Sequence, residues 1–139
     1  NSIEVCGERL NLPSVDCPVY AMGAKEDHIV PWKSAFKSAS VFSGSVSFVL
    51  GASGHIAGCI NSAAKNKRSY WKNDRSTKSS TEWISDAKEY PGSWWNDWIV
   101  WMKKQSGTFI NAPKILGSKE YAEIEPAPGR YVKEEAFRR

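Results

Sequence analysis

Val19-Tyr20-Ala21-Met22-Gly23-Ala24, directly after Pro18, is a short and nearly continuous apolar run. Such a run suits a strand covered on both faces, the kind found in parallel sheets. It breaks at the polar stretch Lys25-Glu26-Asp27-His28. Pro31 supplies a first helical position, with Val30 held extended before it. Trp32, Ala35, Phe36 and Ala39 follow at i, i+3, i+4 and i+7, one apolar helix stripe that Gly44 closes. Val46-Ser47-Phe48-Val49-Leu50 reads as a second strand, and Gly51-Ala52-Ser53-Gly54 is too glycine-rich to continue it. Two such strands joined by a helix make a right-handed βαβ unit with parallel strands, so the chain is of the α/β class.

That unit has a chemical consequence. Asp27 and His55 each follow the carboxyl end of a strand and lie one crossover apart in the sequence. In open α/β sheets the reactive crevice lies outside those strand ends, which brings the two side chains together. A carboxylate beside an imidazole fixes its tautomer and supports its charging during proton transfer. The competing reading makes Asp27 a turn former and cap, and His55 a polar loop residue. No nucleophile accompanies the pair. A G-x-S-x-G elbow, or its Cys version, is absent: Gly54 follows Ser53 too early, and Cys59 comes after His55.

Outward from this core, the 139 residues suffice for one domain, and 41% apolar with 24% charged residues marks a globular chain. The net charge of +4 is uneven. Lys65, Lys67, Arg68, Lys72, Arg75 and Lys78 stand against Asp74 alone between positions 65 and 78. With the basicity so local and no recognition motif present, nucleic-acid binding is not expected; a solvated loop, or attraction for phosphate groups, is. No run approaches the roughly 20 apolar residues of a membrane-spanning helix. The N-terminus shows neither a basic-then-apolar leader nor a starting Met, which reads as a missing upstream piece. Cys6, Cys17 and Cys59 have no metal-ligand spacing, so free thiols in a reducing compartment are expected and no metal.

Seven tryptophans are many for this length. Trp94, Trp98 and Trp101 fall at i, i+4 and i+7 with Ile99 and Met102 alongside, a helical stripe for packing or for lining an apolar route. Beyond Gly107, Pro113, Gly117, Pro126, Pro128 and Gly129 read as an extended tail wrapping a surface rather than a separate domain.

Five blocks, in order along the chain, resemble the class I polyhydroxyalkanoate synthases. They are Glu26-Asp27-His28-Ile29-Val30-Pro31-Trp32, Phe48 to Gly58, Lys65-Asn66-Lys67-Arg68-Ser69-Tyr70-Trp71, Gly92-Ser93-Trp94-Trp95-Asn96-Asp97-Trp98, and Ile124 to Lys133. The resemblance implies the C-terminal portion of an α/β-hydrolase fold: residues 1-64 form the last strand–helix–strand unit of the core, carrying the acid and His loops. Residues 65-139 then form a family-specific Trp-rich helical segment and an extended tail. It further implies a cytoplasmic acyltransferase, acting at polyester granules and pairing as a homodimer when complete. Such an enzyme polymerises (R)-3-hydroxyacyl-CoA, 3-hydroxybutyryl-CoA foremost, into a growing polyester with release of CoA; CoA belongs to the substrate and no cofactor is expected. By motif match Asp27 is the acid and His55 the base of a Cys-His-Asp triad whose Cys lies upstream, so this chain alone is expected to be inactive. The alternatives are a truncated or split-gene product serving as an interaction piece, and an esterase or depolymerase of the same fold.

Overall fold

The computed structural model describes residues 3–75 and 79–136. They fall into two compact units, Asn1–Gly107 and Thr108–Arg139. The first opens with an antiparallel hairpin, β1 (Glu4–Val5) and β2 (Glu8–Arg9), and a single 3-10 turn at Leu12–Ser14. β3 (Val19–Ala24), α1 (Trp32–Ala39) and β4 (Val46–Gly51) follow, and β3 and β4 pair in parallel from Val19↔Val46 to Ala24↔Gly51. The expected βαβ unit is therefore present, with both strands within a residue of their expected bounds. Two details differ. Pro31 sits one position before the helix, where its carbonyl accepts from Ser34 and Ala35. Helix α1 ends at Ala39, well before Gly44, which is instead pressed against backbone: a Cβ there would lie 2.2 Å from the Cys17 carbonyl oxygen.

β5 (Ser69–Lys72), α2 (Ser80–Asp86), β6 (Lys88–Pro91) and α3 (Trp94–Gln105) complete the unit. β5 joins β4 antiparallel and β6 joins β5 antiparallel, giving a mixed four-stranded sheet in the order β3-β4-β5-β6. The basic segment is thus not a plain solvated loop, because its middle is a half-buried strand. Lys72 pairs with Asp97 and Arg75 with Asp86, so two of its charges are spoken for inside the chain. Lys78 lies outside the described residues.

Strand alternation sends side chains to two faces. On one, Phe36 and Ala39 of α1 and Trp83 of α2 pack on Phe48 and Leu50. Phe36–Phe48 and Phe48–Trp83 meet edge to face with centroids 5.1 and 5.0 Å apart. Each such pair contributes about 0.5–1.5 kcal/mol beyond its buried area. On the other face α3 lays Trp94 and Trp101 against Tyr20, at 6.2 and 5.4 Å. The stripe expected for α3 therefore packs on the sheet through Trp94 and Trp101, while Trp98, Ile99, Val100 and Met102 remain exposed. Between helix and sheet, the Tyr20 hydroxyl donates to Asp97 at 2.9 Å and Lys72 Nζ meets the same carboxylate at 2.5 Å. Burial first, then the Asp97 charge and hydrogen bond, push the Tyr20 hydroxyl far above the ordinary tyrosine range. Lys72 loses some basicity to burial but gains more from Asp97, and its pKa rises.

The second unit contains no α-helix or strand among its described residues, only a 3-10 turn at Tyr131–Lys133. Glu125 holds it locally, accepting from the Arg130 amide and pairing with its guanidinium at 3.2 Å. Phe109, Ile110, Ile115, Leu116 and Ile124 are all exposed.

Candidate functional site

The loops that leave β3 and β4 run side by side. Lys25 N–H donates to the Gly51 carbonyl and Glu26 N–H to that of Ser53, so the sheet ladder extends past the strands and ties the Asp27 loop to the His55 loop. Ser53 takes a left-handed conformation (φ 76°), a cost of order 1–3 kcal/mol held in place by its surroundings. Asp27 closes its own turn: Oδ1 accepts from Ile29 N–H at 2.8 Å and Val30 N–H at 2.9 Å. The Val30 bond above all, against some desolvation, with the Ile29 bond and the imidazoles of His55 and His28, holds this carboxyl below the usual aspartate value. The turn-forming and acid–base readings of Asp27 are thus compatible, since one oxygen performs the turn and also faces the histidine.

His55 Nδ1 lies 3.8 Å from Asp27 Oδ1, longer than a hydrogen bond. That nitrogen is buried and has no hydrogen-bond partner among the described residues. A buried donor beside an ionised carboxylate gains by closing the gap, and acid–base contacts of this kind tighten when substrate binds. The imidazole is about a third exposed, so its other edge reaches solvent. His28 stands edge-on to it with ring centroids 5.1 Å apart. In the sequence His28 is one residue of a polar loop, and its place directly after Asp27 is the one signal that marks it. Exposed Ile29, Val30, Ile56 and Ile60 give both loops an apolar rim.

Cys59 occurs in the same loop as His55, with its thiol 3.9 Å from the Met22 sulfur. Burial, and then the Asp27 charge, push its pKa up, the opposite of what activates a thiol nucleophile. The site thus offers an anionic carboxylate and a neighbouring imidazole, while its nearest thiol is held protonated.

The turn bearing His55 is supported from beneath. Gly58 N–H closes it on the Gly54 carbonyl at 2.7 Å, and Ile60 N–H bonds the Ile56 carbonyl. The Trp94 indole N–H donates to the Gly58 carbonyl at 2.8 Å and that of Trp95 to the Cys59 carbonyl at 2.9 Å. The Ser93 hydroxyl donates to Asn61, and Asn66 accepts from the Ser93 amide and the Asn96 side chain.

An acid–imidazole pair thus stands at the carboxyl ends of adjacent parallel strands in an α/β sheet, where open α/β sheets place their crevice. No family model matches the chain. Among curated proteins, the poly(3-hydroxyalkanoate) polymerase subunit PhaC of Cupriavidus necator is 51% identical over 134 residues, 96% of this chain and 23% of that protein. Poly(3-hydroxyalkanoate) polymerase 1 of Ectopseudomonas oleovorans is 35% identical over 96% of this chain and 24% of its own length. The PhaC subunit of Rhizobium etli is 40% identical over 96% of this chain and 21% of its own. The resemblance read from the five blocks therefore holds along nearly the whole chain: it is homologous to a segment of the poly(3-hydroxyalkanoate) polymerases. It spans about a quarter of the length of these relatives.

Proposed function

We propose that this chain is the C-terminal, acid-and-base-bearing part of a polyhydroxyalkanoate synthase with the α/β-hydrolase fold. The observation that carries the reading is the approach of Asp27 Oδ1 to His55 Nδ1 at the ends of parallel β3 and β4. The similarity to the Cupriavidus necator polymerase supports reading that pair as acid and base. In the complete enzyme His55 takes the proton of a cysteine thiol supplied from outside this chain. The thiolate attacks the thioester carbon of (R)-3-hydroxyacyl-CoA, the C–S bond to CoA breaks, and the imidazolium returns the proton to the departing CoA sulfur. In the elongation step the same imidazole withdraws the proton of the 3-hydroxyl, whose oxygen attacks the acyl-cysteine carbonyl carbon. The ester C–O bond forms, the C–S bond to the cysteine breaks and the proton passes to the cysteine sulfur, while Asp27 orients the ring and balances its charge. The apolar rim of Ile29, Val30, Ile56 and Ile60 suits an aliphatic acyl chain. On this reading the complete protein is a homodimer at polyester granules in the cytoplasm, a setting supported by the exposed apolar residues of α3 and of the second unit.

The test is a chimaera: the Cupriavidus necator polymerase with its aligned segment replaced by this chain. It should release CoA from (R)-3-hydroxybutyryl-CoA, followed with a thiol reagent. Asp27→Asn and His55→Gln should each lower kcat by at least about a hundredfold at unchanged thermal stability. A folded, soluble chimaera without turnover, or variants as active as their parent, would sink the proposal.

A further inference from the structure

The two indoles that open α3 both reach the turn that carries His55. Trp94 Nε1 bonds the Gly58 carbonyl, and the Gly58 amide bonds the Gly54 carbonyl, one residue before His55. Trp95 Nε1 bonds the next carbonyl, that of Cys59. α3 itself is fixed: Ser93 caps it, Trp94 and Trp101 pack on Tyr20, and Asp97 is tied to Tyr20 and Lys72. A single helix thus connects the sheet floor to two consecutive carbonyls of the His55 turn. Among the described residues His55 Nδ1 has no hydrogen-bond partner, so the ring is positioned by the backbone of its turn and by the edge-on His28 ring.

We infer that Trp94 and Trp95 are positioning residues for His55: their indole N–H groups clamp the 54–59 turn and hold the imidazole within reach of Asp27. This rests on the polymerase reading for its catalytic consequence, though the clamp is a property of the fold itself. A displacement of the imidazole by about 1 Å would cost catalysis up to a hundredfold while leaving substrate binding largely unaffected.

The experiment uses the chimaera described above with Trp94→Phe, which keeps an aromatic ring and removes the donor. A second variant carries benzothienylalanine at position 94, which replaces the indole N–H by sulfur at the same shape. Trp83→Phe, in the core on the opposite face, is the control for general loss of packing. For both Trp94 variants, kcat should fall about tenfold or more with KM within about twofold. Amide exchange of segment 54–60 should rise about tenfold or more, with Trp83→Phe changing neither. Should Trp94→Phe not fold, the benzothienylalanine variant decides. A kcat within about twofold of the parent in that variant, or an equal loss in Trp83→Phe, overturns the positioning role. If the parent chimaera releases no CoA, the polymerase reading fails, and the exchange measurement decides the clamp alone: unchanged protection at 54–60 refutes it.

Discussion

A Cβ built on Gly58 would stand 2.6 Å from the Gly54 carbonyl oxygen, 2.8 Å from that of Ala52 and 3.1 Å from the Ala24 side chain. The first two neighbours are backbone and cannot rotate away, so even one methyl group forces the His55 turn off the sheet. Gly58→Ala should destabilise the fold by about 1–3 kcal/mol in urea unfolding and lower chimaera turnover more than its stability loss explains. Asp27 and His55 were legible in the sequence because each lies directly after a strand whose apolar run is unmistakable. Their 3.8 Å separation was not, since it depends on the parallel register of Val19 with Val46. The Trp94 bond to Gly58 spans 36 residues and ends on a main-chain oxygen, a partner that any residue type provides. Nothing in composition or spacing marks it.

At the scale of elements, β5, α2 and β6 escaped the reading for physical reasons. Ser69-Tyr70-Trp71-Lys72 is four residues set in a charged stretch, and Lys88-Glu89-Tyr90-Pro91 is polar because it forms a sheet edge. The seven-residue α2 left one usable sign, Ser79 with Glu82 three positions on, where the serine side chain caps the Glu82 amide. α3 was legible from its tryptophan spacing, but its polar tether was not. Tyr20, Asp97 and Lys72 join β3, α3 and β5, and the folded state raises the pKa of both Tyr20 and Lys72. Each group is therefore bound more tightly to its proton in the fold than in the unfolded chain. The stability they contribute is complete below about pH 10 and is lost as pH rises above the ordinary tyrosine and lysine values. Asp97→Asn should flatten this alkaline decline and cost about 1–2 kcal/mol near neutrality, read from urea midpoints at pH 7 and 10.5.

The whole molecule holds the acid and base of a proposed triad, while the thiol in their loop, Cys59, is held protonated beside Asp27. The purified 139-residue chain should accordingly give no sustained CoA release from (R)-3-hydroxybutyryl-CoA, and turnover well above the thioester's spontaneous hydrolysis would contradict the proposed division of labour. The sequence conveyed the parallel unit because its strands are largely buried on both faces. It did not convey the three-layered arrangement, which arises from α3 covering a face that no local pattern assigns. The strand order β3-β4-β5-β6 repeats the order of synthesis. Each strand emerging from the ribosome finds its partner already made, so the sheet can grow vectorially from short-range closures. The helix that fastens the histidine turn is the last of these elements to be made, and the approach of His55 to Asp27 is therefore the final feature this unit acquires during its birth.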